Sequence, residues 1–225
     1  MTDHSNSIDF ATILAAGVHD MKNSLQLQLQ KLEHVALQVT NTEAAQSLAD
    51  IHYEAQRLNT SLIQLLNLYR HADGQFPLQL ENQLIDELIE DVVADTEFYA
   101  RHYKVQIDLV ITDQLSWYLD TNLISILLQD VIINAVRYAK QTVTVRAFER
   151  AGQLVIAVQD DGHGYPAQIL HSVNHGLGHA PLTSGRTGLG LYFAKRIAES
   201  HQRRQQCGEI ILSNCKGGNF TLRLP

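Results

Sequence analysis

Over the first third of this chain, apolar residues recur at helical steps. Leu14, Val18, Met21, Leu25, Gln28, Leu32, Val35 and Val39 follow alternating intervals of four and three, with Gln28 the one polar break. Leu48, Ile51, Ala55, Leu58, Leu62, Leu65 and Tyr69 keep the same alternation without interruption. Stripes of this kind predict two helices that bury a seam at a shallow packing angle. Thr40 and Glu43 have capping-box spacing for the second helix, and Gly74 suits its end. The short polar link between the stripes predicts an antiparallel hairpin. A lone hairpin leaves apolar surface in water. Pairing two hairpins into a four-helix bundle covers it and predicts a homodimer; the alternative is packing against the rest of the same chain.

Beyond Gly74-Gln75-Phe76-Pro77 the rhythm changes. Leu84 to Ala100 reads as an amphipathic helix, Val105 to Ile111 as a strand and Leu123 to Ala139 as an apolar helix. Thr142 to Phe148 and Leu154 to Gln159 read as strands joined by a turn at Ala151-Gly152. Leu189 to Ser200 reads as a helix, and Gly208 to Leu224 as two strands around Lys216-Gly217-Gly218-Asn219. Helices mixed with antiparallel strands predict an α/β sandwich. The fold class is therefore α+β, with a helical hairpin over residues 1–73 and a second domain over 74–225.

Composition narrows the function. The net charge of −7 argues against a nucleic-acid binder, which needs a clustered basic surface. No apolar run approaches the ~20 residues that span a bilayer, and polar residues follow Met1, so neither a membrane segment nor a signal peptide is expected. Cys207 and Cys215, the only two cysteines, make no disulfide framework and no C-x-x-C metal site. A soluble cytoplasmic protein with reduced thiols is the expectation. Eleven histidines are left to be explained.

Four constellations carry candidate chemistry. His19-Asp20-Met21-Lys22-Asn23 places an imidazole beside a carboxylate just off the first seam, with Asn23 one turn further on. A carboxylate that accepts one ring proton leaves the other ring nitrogen as a nucleophile. Asp130 and Asn134 share one face of a mostly apolar helix, where a hydrated divalent cation and phosphate oxygens would satisfy them, and Arg137 lies a turn on. Asp160-Asp161-Gly162-His163-Gly164 follows an apolar strand; its glycines permit close approach to a ligand, and the carboxylate can accept from an exocyclic amine. Gly185-Arg186-Thr187-Gly188-Leu189-Gly190-Leu191 leads into a helix and presents backbone N–H groups to an anion. A solvated histidine, a helix cap, a plain turn and a glycine hinge are the respective structural alternatives.

Taken in this order, the four motifs resemble the catalytic core of bacterial two-component sensor histidine kinases: a phosphoacceptor hairpin followed by an ATP-binding domain of the gyrase, chaperone, kinase and mismatch-repair (GHKL, or Bergerat) type. The resemblance implies that His19 is the phosphorylated nucleophile, activated by Asp20, with Asn23 positioning water for dephosphorylation of the partner. It implies ATP and Mg2+ as cofactors. Asn134 would hold the metal, with Asp130 beside it and Arg137 and Tyr138 near the phosphates. Asp160 would take the adenine amine, with Gly162 and Gly164 allowing approach, and Gly188, Leu189 and Gly190 would lie at the phosphates. The implied partners are a response regulator receiver domain, a second copy through the hairpin, and a separate sensor or upstream protein unless the chain is part of a longer receptor.

Several departures bear on this reading. Asp130 stands where these kinases usually have asparagine; a carboxylate there is either added charge at the metal or a general base for water. No phenylalanine lies between Phe148 and Phe193, so the family's phenylalanine box is missing. Residues 166–185, where the ATP lid belongs, are short and rich in Gly and His and are read as a polar, mobile segment. His171, His175 and His179 recur every four residues, but Gly176 and Gly178 disfavour a helix, and no Cys or carboxylate completes a metal site. Gly218 stands where many relatives carry threonine near the adenine. The competing functions are a phosphotransfer adaptor or phosphatase with a degenerate ATP domain, and a plain ATPase or an anti-sigma-type serine kinase of the same fold.

Overall fold

The computed structural model describes residues 10–39, 42–70, 78–175 and 189–225. The chain divides into two compact units, Met1–Gly74 and Gln75–Pro225. Thr40 and Gly74, expected at the ends of the second helix, lie outside the described residues.

The first unit consists of α1 (Phe10–Gln38) and α2 (Thr42–Arg70), packed on each other. Their seam is not the expected stripe. Among the described side chains, Ala49, His52, Tyr53, Asn59 and Gln64 are buried in α2 and Leu29 in α1. Ile51 and Leu58 of the stripe are 54% and 56% exposed, and Met21 and Val35 of the first stripe are exposed as well. The expectation that the stripe closes the hairpin is therefore corrected: the inner seam contains polar side chains, and much of the heptad face points outward. Burial pushes the His52 imidazole down to about 4, so that ring is neutral at physiological pH.

The second unit is built on a five-stranded sheet. In chain order its elements are β1 (Glu81–Leu84), α3 (Ile85–Tyr103), β2 (Gln106–Ile111), β3 (Ser116–Leu119), α4 (Thr121–Tyr138), β4 (Thr142–Arg150), β5 (Gln153–Asp160), α5 (Ala167–His175), α6 (Leu189–Ser200), β6 (Gln202–Arg203), β7 (Gln206–Cys207), β8 (Glu209–Asn214) and β9 (Gly218–Leu224). The sheet order is β2-β4-β5-β9-β8, while β1-β3 and β6-β7 form separate two-stranded pairs. Alternation along β4 and β9 buries Val143, Val145, Ala147, Phe220, Leu222 and Leu224 on one face. That face packs under α3, α4 and α6, whose apolar stripes are buried in turn.

The expectation of antiparallel strands is corrected at one pair. β2 runs parallel to β4, from Gln106 opposite Thr142 to Ile111 opposite Ala147. The intervening β3 and α4 supply the long crossover that a parallel pair requires. Residues 167–175, expected to be an irregular part of the lid, form helix α5. Ile169 and Val173 give it an apolar side, Val173 is buried, and the helix packs on β8. His179 lies outside the described residues, and among the described residues no group of three His, Cys, Asp or Glu gathers.

Asp120 ties several elements together. Its Oδ1 accepts from Leu123 N at 3.0 Å, capping α4, and its Oδ2 accepts from Gln79 N at 2.9 Å. Its own N–H donates to His201 Nε2 at 3.1 Å, while His201 Nδ1 lies 2.8 Å from Ile197 O. This pattern makes His201 neutral and protonated at Nδ1. Burial holds its pKa low, against smaller opposing pulls from Ile197 and Asp120.

Candidate functional site

The second unit brings the end of β5 against the end of α4. Asp160, the last residue of β5, is buried, and its Oδ1 accepts from Gly162 N at 2.7 Å and Gly218 N at 3.1 Å. With Oδ1 engaged twice, Oδ2 is the acceptor that remains for a ligand. The turn has no room for side chains. A Cβ on Gly162 would run into the Tyr138 carbonyl, and one on Gly218 would stand 2.6 Å from Asp160 Oδ2.

Asp161 fastens this turn to the link after α4. Its carboxylate accepts from Lys140 N at 2.6 Å and Gln141 N at 3.1 Å. Slight burial raises its pKa, but N–H donors of Gln141, Lys140 and Thr142 outweigh that and hold the carboxyl below its usual range. The tether keeps α4 and its polar residues close to Asp160.

On α4, Asn134 Nδ2 donates to the Asp130 carbonyl at 2.7 Å, so the atom Asn134 can offer a cation is Oδ1. Burial pushes the Asp130 carboxyl up to about 6, with a side-chain hydrogen bond from Asn134 pulling part of the way back. A carboxylate held this reluctantly in its ionised form, beside an amide oxygen, is a donor set that suits a hard divalent cation. Arg137 is half-buried one turn on, and Tyr138 is exposed.

The structure thus brings together Asp130, Asn134, Tyr138, Asp160 and Gly162. Gly164, with φ of 78°, lies against the Asn214 side chain. Gly190 is half-buried in the first turn of α6, and Leu189 begins that helix, whereas Gly188 lies outside the described residues. In the other unit, Asp20 and Asn23 are exposed on α1. His19 is on the same helix, its side chain outside what is described. Sequence reasoning missed Asp161 as a tether, although its Asp-Gly turn was visible. It also missed Tyr165 and Asn214, whose contact is made across 49 residues of chain.

Residues 119–225 match the family described as histidine kinase-, DNA gyrase B-, and HSP90-like ATPase. The chain is similar to the nisin biosynthesis sensor protein NisK of Lactococcus lactis subsp. lactis, 27% identical over 93% of this chain and 47% of NisK. The histidine kinase AdeS of Acinetobacter baumannii shares its fold, with a TM-score of 0.61, 20% identity and coverage of 92% of this chain and 96% of the AdeS chain. Full-length ShkA in complex with AMPPNP does so at TM-score 0.65 and 18% identity, over 94% of this chain and 45% of that one. The likeness is to the catalytic core of sensor histidine kinases. The chain spans from a fifth to about half of the length of the first curated relatives it matches. No described helix is long and apolar enough to cross a membrane.

Proposed function

We propose that the chain is a two-component histidine kinase core, which transfers the γ-phosphoryl group of ATP to His19 and then to an aspartate of a response regulator receiver domain. The observation that carries the reading is Asp160 with Oδ1 saturated by two glycine N–H groups and Oδ2 left to accept from a base amine, on a domain of the kinase ATPase family. The AMPPNP bound by ShkA supports a nucleotide as the ligand.

In the first step, a ring nitrogen of His19 attacks the γ-phosphorus, the bond to the β–γ bridging oxygen breaks, and ADP leaves with the electron pair. Asp20 accepts from the other ring nitrogen, and its negative charge balances the positive charge that develops on the imidazole. In the second step the phosphoryl group passes to a carboxylate oxygen of the regulator, restoring neutral His19. Asn23, one turn along α1 on the exposed face, orients water when the regulator is dephosphorylated. Asp160 fixes the base, with Gly162 and Gly164 admitting it, while Gly188, Leu189 and Gly190 offer backbone N–H groups and Arg137 its charge to the phosphates. Tyr138 lies at the phosphate side. Asn134 and Asp130 would hold Mg2+, which neutralises phosphate charge when bound.

The reading includes a cytoplasmic location, an input from a separate sensor or upstream protein, and a homodimer through the hairpin. The outward heptad face supports the dimer, because Ile51 and Leu58 lie one heptad apart and both are exposed. Leu58→Asp is therefore expected to convert a dimer to a monomer in light scattering; an unchanged mass would reject this face.

The deciding experiment compares γ-labelled with α-labelled ATP. Label taken up only from the γ position, acid-labile, base-stable and chased onto a receiver domain supports the kinase. Tight ATP binding without label rejects it in favour of a phosphotransfer adaptor.

One observation favours a second reading, ATP hydrolysis: the Asp130 carboxyl at about 6 is suited to take a proton from water near neutral pH. Asp130→Asn separates the two. Under hydrolysis, phosphate release rises as pH passes upward through about 6, where the base ionises, and falls about a hundredfold in Asp130→Asn. Under the kinase reading the asparagine keeps an oxygen for the cation, and acid-labile labelling persists.

A further inference from the structure

Tyr165 follows the glycine turn and is fixed from two sides. One side chain clamps its backbone: Asn214 Oδ1 accepts from Tyr165 N at 2.8 Å, and Asn214 Nδ2 donates to Tyr165 O at 2.9 Å. Gly164 makes the clamp possible, because a Cβ there would stand 2.7 Å from the Asn214 side chain. The ring then comes to rest beside Gly218. A Cβ on Gly218 would lie 3.1 Å from Tyr165 Cε2 and 2.6 Å from Asp160 Oδ2. The edge of the Tyr165 ring and the unengaged oxygen of Asp160 therefore flank the same point, and only a glycine beneath leaves that point open.

The phenol hydroxyl makes no hydrogen bond to any of the described residues; the hydrogen bonds of Tyr165 are those of its backbone. Burial, together with the charges of Asp160 and Asp130, raises its pKa, so the hydroxyl keeps its proton and can donate. A carboxylate acceptor and a ring that ends in a hydroxyl donor flank that point, and together they can read a two-atom pattern on a ligand edge. The edge of adenine carries an N–H donor at N6 next to an acceptor at N1. Guanine has an acceptor at O6 next to a donor at N1, which opposes the pattern at both atoms.

We infer that Tyr165 is a specificity-determining residue of the base site, its hydroxyl donating to N1 of adenine while Asp160 Oδ2 accepts from the N6 amine. This rests on the ATP-binding part of the proposed function and adds to it a second point of base recognition, carried by a side chain outside the sequence motifs. It also gives Gly218 a role: a side chain there would fill the space between the Tyr165 ring edge and Asp160 Oδ2.

The test titrates the whole chain with ATP, 1-deaza-ATP, which lacks N1, and purine riboside triphosphate, which lacks the N6 amine. The wild-type chain is expected to bind ATP about tenfold more tightly than 1-deaza-ATP, the worth of one good hydrogen bond in a site built for it. Tyr165→Phe keeps the ring beside Gly218 and removes only the hydroxyl. It is expected to abolish the preference for ATP over 1-deaza-ATP and to retain the preference for ATP over purine riboside triphosphate. Each ratio is read within one variant, so a loss of folded material cancels. A Tyr165→Phe chain that still prefers ATP tenfold over 1-deaza-ATP overturns the inference. So does a wild-type chain that binds both equally, which leaves the ATP reading standing. A wild-type chain that binds no ATP ends both.

Discussion

With His19→Gln, the acid-labile label that the chain takes from γ-labelled ATP is expected to fall by at least about a thousandfold, below detection, because the covalent route loses its nucleophile. An amide nitrogen has its lone pair delocalised into the carbonyl and does not attack phosphorus. Glutamine is also a good helix former of similar length, so α1 keeps its helix and its contact with α2. Nucleotide binding belongs to the second unit and is expected to change less than about twofold, within the range of additive, distant sites. The pair of measurements isolates chemistry from binding. Label of the same acid lability persisting in His19→Gln would move the phosphoacceptor to another of the eleven histidines. Loss of ATP binding together with label would show that the substitution had damaged the fold.

Asp160→Asn is expected to weaken ATP binding about a hundredfold while the domain stays folded, and the reason lies in which way the amide must turn. Asp160 Oδ1 accepts two backbone N–H groups, from Gly162 and Gly218. An asparagine can keep both bonds only by placing its single oxygen there. Its NH2 group then takes the position of Oδ2 and confronts the N6 amine of adenine, donor against donor. The opposite flip would serve the base but turn NH2 toward two N–H groups that are buried or half-buried. Loss of a charge-assisted hydrogen bond amounts to about 1.5–3 kcal/mol, and a hundredfold in affinity is about 2.8 kcal/mol. Calorimetric titration with ATP measures it, and thermal unfolding monitors the fold. Undiminished affinity would show that Asp160 does not touch the base. Purine riboside triphosphate, without the amine, is expected to discriminate far less between Asp160 and asparagine.

The sequence was most legible where one periodicity ran long enough to outvote local exceptions. Expected helices at Leu84 to Ala100, Leu123 to Ala139 and Leu189 to Ser200 appear as Ile85–Tyr103, Thr121–Tyr138 and Leu189–Ser200. The turn at Ala151-Gly152 was readable because both residues take positive φ, 53° and 77°, the twist a two-residue hairpin needs. The strands Glu81–Leu84 and Gln202–Arg203 were not readable: they are short and largely polar, and they are held by pairing with segments far or near rather than by an apolar face. Nor does alternation along β2 say which way its neighbour runs, so the parallel pair with β4 was invisible. In the hairpin the periodicity gave the two helices but not which positions are buried: Ala49 and Tyr53, next to the stripe, are buried, while Ile51 and Leu58 on it are exposed. At the site, carboxylates and glycines adjacent in sequence were found, whereas the hold of Asn214 on Tyr165 depends on the sheet having formed.

The position of β9 orders events during synthesis. That strand is the last of the sheet to be made, yet it lies between β5 and β8 and pairs with both. Until residues 218–225 have left the ribosome, β8 has no neighbour in the sheet, Asp160 lacks the Gly218 N–H, and Trp117 Nε1 lacks the Pro225 carbonyl it donates to. The hairpin, by contrast, is complete at Arg70. At roughly 5–20 residues per second, the helical unit exists for about eight to thirty seconds before the sheet of the second unit can close. A nascent chain in that interval can meet a second hairpin through its outward heptad face while it has nothing with which to bind ATP.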